Sequence, residues 1–117
     1  YNYIQGNLPM LILAIVAVFI ASSFGEEVIY RGFLITRISE IGGSSKKWIW
    51  TAVLLSSIIF GLVHFDWGLM GIGQTFFMGL ALSISYIVLD RNLWVLVFAH
   101  AYIDAILMVQ MYLGVNI

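Results

Sequence analysis

The chain has no cysteine, one proline and two histidines in 117 residues. Without cysteine there is no disulfide and no thiolate metal site, and the redox compartment stays undetermined. Charge is scarce as well. The 5 basic and 6 acidic residues make up 9% of the chain, against roughly 25% in a soluble domain. The formal net charge of -1 provides no basic surface for nucleic acid. What fills the sequence instead is 62% hydrophobic, with a mean hydropathy of +1.04. These absences leave a membrane protein, and the length suits one small helical bundle. Residues 1–117 are expected to form a single domain, and the start at Tyr1 rather than Met points to a longer membrane protein around it. The stretch from Leu8 to Phe24 has a signal-peptide-like apolar core. It lacks a basic leading region and polar membrane motifs follow it, so it reads as a permanent span.

The fold class expected is all-α, a polytopic transmembrane bundle of about four helices. Pro9 suits a helix start, and Leu8 to Phe24 carries no charge. Helix is expected to continue to about Glu40, with a kink or break near Gly25. Ile41 to Ser45 has loop composition. Lys46 and Lys47 mark a membrane edge, with Trp48 and Trp50 as interfacial anchors. The pattern predicts further spans over 49–65, 69–89 and 93–113, joined by turns at Asp66-Trp67-Gly68 and Asp90-Arg91-Asn92. Gly71, Gly73 and Gly79 let the third span approach its neighbours closely. Arg31, Arg37, Lys46, Lys47 and Arg91 fall on one side of this layout, which makes that side cytoplasmic.

Against this background Gly25-Glu26-Glu27-Val28-Ile29-Tyr30-Arg31-Gly32 stands out. Ionisable residues at membrane depth are costly and are functional candidates by default. His64, and His100 with Asp104, are equally out of place. Depths measured from the basic edge put Glu26 about 21 Å in, His64 about 25 Å, His100 about 12 Å and Asp104 about 18 Å. All four fall within one hydrocarbon slab of about 30 Å, provided residues 25–40 are embedded. Phe60 and His64 are four apart, as are His100 and Asp104, so each pair shares a helix face. Glu27 and Arg31 have the spacing and order of a helical ion pair. Glu26 points about 100° away from Glu27, which suggests a different task.

A carboxyl beside an imidazole in a dry site is a general acid/base pair able to activate water for attack on a carbonyl. The His100 and Asp104 face could then stabilise an oxyanion. A metal version is open too: His64, His100 and Glu26 or Asp104 would make a histidine/carboxylate zinc site, although no His-Glu-x-x-His is present. Structural readings stand beside these. Glu26 could sit at a helix end, His64 at the interface, and His100 with Asp104 could be an interhelical hydrogen-bond pair.

The ordered set Glu26-Glu27-Val28-Ile29-Tyr30-Arg31, Phe60-Gly61-Leu62-Val63-His64 and His100-Ala101-Tyr102-Ile103-Asp104 resembles the three motifs of the CPBP (Abi) intramembrane proteases. That family includes the CAAX prenyl endopeptidase and bacterial proteins of bacteriocin processing and self-immunity. The resemblance implies an intramembrane endopeptidase acting on a membrane-associated protein or peptide. Glu26 and His64 would activate water, and His100 and Asp104 would form the oxyanion site. Glu27 and Arg31 would be a structural pair, with Phe60 supporting. It implies no cofactor, with zinc as the alternative, and a multi-pass protein of a bacterial cell membrane. Its partners would be the bilayer and a protein or peptide substrate. The last motif position is Asp here, where the CAAX branch carries Asn. An ionised Asp only accepts hydrogen bonds, so Asp104 must carry a proton or must orient His100. The alternative function is a non-catalytic immunity or scaffold protein of the same fold.

Overall fold

The computed structural model describes residues 3–114 and contains four helices and no strand among them. α1 runs Leu8–Ile41, α2 Lys46–Leu62, α3 Gly68–Val88 and α4 Leu93–Leu113. A short 3-10 turn, Phe65–Trp67, precedes α3. α1, α3 with its preceding turn, and α4 are long and apolar enough to cross a membrane. α2, with 17 residues, is at the short end of what spans a bilayer. The chain is thus an all-α polytopic bundle.

α1 starts where local chemistry says it should. The Asn7 side chain accepts from the Met10 amide at 3.2 Å, and Pro9 occupies the first turn, where its missing N–H costs nothing. The irregularity expected near Gly25 takes another form. Gly25 itself has helical angles, φ -61 and ψ -46. On either side of it the helix widens into π-helical segments, Phe19–Phe24 and Val28–Ile35. π-turns inside α-helices are rare and are common at functional sites.

The contacts divide the chain into two compact units, residues 1–27 with 97–117, and residues 28–96. In the first unit, the N-terminal part of α1 meets the C-terminal part of α4. Phe19 and Phe98 lie 6.1 Å apart between ring centroids. The N-terminal lead-in is tied on by the Gly6 amide, which donates to the Tyr112 carbonyl at 3.0 Å. In the second unit, α2 and α3 form a hairpin against the C-terminal part of α1. Its core is Ile35, Ala52, Val53, Leu82, Tyr86 and Leu96. A Cβ on Gly61 would stand 3.0 Å from the Ile72 carbonyl and from Phe76. The hairpin helices approach this closely only because a glycine is there.

Candidate active site

The polar residues of the first unit gather on one imidazole. His100, buried in α4, lies four residues before Asp104, and its Nε2 is 3.3 Å from Asp104 Oδ2. The same nitrogen is 3.5 Å from Glu26 Oε1. On the other side of the ring, Nδ1 is 2.7 Å from Glu27 Oε2. With Glu27 ionised, Nδ1 carries a proton and donates it to that carboxylate, which locks the ring orientation. The cluster grades from dry to open. The Glu27 and His100 side chains are 0% and 3% exposed, whereas Asp104 and Glu26 are 18% and 27% exposed. Glu27 therefore serves as the buried anchor, and Glu26 and Asp104 face the accessible end, where a substrate could come.

Two serines complete the cluster. Ser22 Oγ donates to Glu26 Oε1 at 3.0 Å and lies 3.4 Å from Asp104 Oδ2. Ser23 Oγ donates to Asp104 Oδ2 at 3.2 Å. Both belong to the π-helical segment Phe19–Phe24. Beside them a small cleft of about 30 Å³ is lined by apolar side chains, among them Val18, Phe19 and Met108, with Ser23 and Asp104 as its polar members.

The second unit handles its polar residues differently. Arg31 is fully buried. Its Nη2 donates to the Gly79 carbonyl at 2.9 Å, and its guanidinium lies 4.6 Å from the Phe60 ring centroid. Phe60 meets Tyr30 edge-on at 5.1 Å. Phe60 also packs on His64, and His64 on Trp67, each at 4.9 Å. His64 stands one residue past the C-cap of α2, at the entry to the 3-10 turn, and not inside a span reaching residue 65. The four-residue spacing still acts: His64 Nδ1 is 2.6 Å from the Phe60 carbonyl. A carbonyl only accepts, so Nδ1 carries the hydrogen. The neutral ring then presents Nε2 as a base.

Of the residues singled out from the sequence, Glu26, Glu27, His100 and Asp104 meet in the first unit, and Arg31, Phe60 and His64 meet in the second. Residues 8–106 match the model of the family described as Type II CAAX prenyl endopeptidase Rce1-like. The chain belongs to this family. Comparison with curated proteins and with solved structures returns no match. The three motif stretches all fall inside the matched region. Family membership supports a membrane-embedded peptidase of the CAAX endopeptidase kind, with the bilayer and peptides as its partners. With the three apolar helices it makes the chain an integral, multi-pass membrane protein. Among the described residues no group of three His, Asp or Glu is arranged to hold a metal ion.

Sequence reasoning missed Ser22 and Ser23, which lie inside the uncharged stretch Leu8 to Phe24. The signal was there: Ser22 lies four residues before Glu26, the spacing of a helical side-chain pair. It also missed Gly79 as the acceptor for Arg31. Along these helices buried hydroxyls commonly bond the carbonyl four residues back, as Ser39, Ser57 and Thr75 do. Ser83 would use Gly79, whose carbonyl receives Arg31. Among the described residues the Ser83 hydroxyl has no hydrogen-bond partner.

Proposed function

We propose that residues 1–117 form one protease domain that hydrolyses a peptide bond of a membrane-associated protein, with prenylated CAAX-type chains as the substrate class. Glu26 takes the proton of a water molecule, and His64, with Nδ1 committed to the Phe60 carbonyl, is assigned as a base through Nε2. The oxygen attacks the scissile carbonyl carbon, and the carbonyl electron pair moves onto its oxygen. His100 and Asp104 face that oxyanion. A protonated Asp104 donates to the oxyanion as an Asn would; an ionised Asp104 instead orients His100, whose protonated ring is then the donor. Collapse of the tetrahedral intermediate breaks the C–N bond, and the proton taken from water goes to the leaving amine. Glu27 orients His100, and Arg31 is the structural cation of the Glu-Glu-x-x-x-Arg motif. No metal is needed for this sequence of steps.

The observation that carries the reading is the convergence of Glu26 and Asp104 on His100 Nε2, at 3.5 and 3.3 Å, at the open end of an otherwise buried cluster. Protein N-termini in membranes expressing the wild type or Glu26→Gln at matched levels test it. New N-termini present only with the wild type are expected. Identical N-termini, with the biological phenotype kept in the variant, would replace the protease by a non-catalytic scaffold.

A further inference from the structure

The geometry assigns Ser22 and Ser23 as positioning residues that orient the Asp104 and Glu26 carboxyls. The inference rests on the proposed function only for its kinetic consequence. A carboxylate oxygen has two lone pairs, and a serine hydroxyl has one hydrogen. Asp104 Oδ2 has three groups within reach: Ser22 Oγ at 3.4 Å, Ser23 Oγ at 3.2 Å and His100 Nε2 at 3.3 Å. Ser23 is fully buried, and the hydroxyl bond described for it is the one to Asp104. It therefore acts as the fixed donor. Ser22 can donate to only one carboxyl at a time, and its shorter contact is to Glu26. Its hydroxyl turns toward whichever of the two carboxyls lacks a proton, so it couples them.

Adjacent residues of an ordinary α-helix point about 100° apart and would not both reach one oxygen easily. The π-helical segment Phe19–Phe24 is the backbone feature that carries both hydroxyls to Asp104. These bonds occupy Oδ2, so they set the direction of the other carboxyl oxygen. They place no group of their own on the reacting atoms.

The test uses the full chain in detergent or nanodiscs. Ser22→Ala, Ser23→Ala and Ser22→Thr are compared with the wild type. One readout is cleavage of a fluorogenic peptide ending in a prenylated CAAX sequence. The other is the carboxyl infrared band of Asp104, followed with 13C-labelled aspartate and assigned by its loss in Asp104→Asn. Hydrogen bonds to a charged group are strong enough that losing one should lower kcat about ten-fold or more. KM should move less than about three-fold if the residues orient and do not bind. Ser22→Thr, which keeps the hydroxyl, should recover most of the rate. The Asp104 band should shift in Ser23→Ala, whose hydroxyl is the fixed donor, and by less in Ser22→Ala. An unshifted band in Ser23→Ala overturns the assignment, whatever the rates. If the wild type cleaves no peptide, the endopeptidase reading fails by itself, and the band decides whether the serines orient Asp104.

Discussion

The two units satisfy buried polar groups by opposite means. The first surrounds one imidazole with three carboxyls and two hydroxyls. Its carboxyls meet at the two ring nitrogens, and its hydroxyls donate to Glu26 and Asp104. The second places its guanidinium on a backbone carbonyl and an aromatic face. It seats its histidine between two aromatic rings. Partners of the first kind can change protonation state and partner, which is what acid/base chemistry requires. A carbonyl and a ring face cannot, so the second arrangement fixes geometry: Arg31 is locked in place, and His64 keeps one nitrogen committed to Phe60.

Substitutions can break this contrast, and the largest effect belongs to the first unit. Glu26→Gln is nearly isosteric, so it should leave thermal stability within about 0.5 kcal/mol. It should lower the cleavage rate by about 10²-fold or more. A rate within a few fold of wild type would remove Glu26 from the chemistry. In the second unit, Arg31→Ala should act on folding. It removes the side-chain donor to the Gly79 carbonyl and a buried cation, at about 3 kcal/mol. Thermal unfolding of purified protein and the folded yield would show it; unchanged values would mean that Arg31 is dispensable to the fold.

Glycines sharpen the comparison at smaller scale. A Cβ on Gly79 would stand 2.9 Å from the Phe60 ring and 3.2 Å from Arg31 Nη2. Gly79→Ala should therefore cost about 1–3 kcal/mol through overpacking. A Cβ on Gly25 meets only the Ile20 carbonyl, at 3.5 Å, an ordinary contact. Gly25→Ala should be neutral or stabilising by up to about 1 kcal/mol. Thermal melts of the pair check the difference, and equal melting temperatures would mean that the Gly79 site relaxes. The smallest effect expected is that of chelators. Dialysis against a metal chelator should leave the cleavage rate unchanged, whereas loss with recovery on added zinc would put a metal in the site.

Much of the fold was legible before any coordinate. The apolar runs and the breaks at 41–45, 66–68 and 90–92 mark four helices. The burial of charge needs no structure to be noticed, because ionisable side chains in an apolar run are visible as such. The helix ends were less legible. The second span is expected over 49–65, which includes His64, yet α2 ends at Leu62. Hydropathy does not register where a backbone turns. The π-helical segments on either side of Gly25 were not legible at all. No residue type requires a π turn, and here glycine marks the neighbourhood and not the cause.

The order of residues alone determined that this chain lives in a membrane, that it is helical, and that Glu26, Glu27, Arg31, His64, His100 and Asp104 need partners. Composition and spacing along one helix are local properties, and they suffice for that. Only the tertiary structure decided which partners are met. Glu27 lies 73 residues from His100 and closes on its Nδ1. Ser23 lies 81 residues from Asp104 and donates to it. Arg31 lies 48 residues from Gly79 and bonds its carbonyl. The physical reason is that a buried polar group takes whichever donor or acceptor the packing of helices brings within 3 Å or so. That choice depends on helix rotation and approach, which no single helix contains.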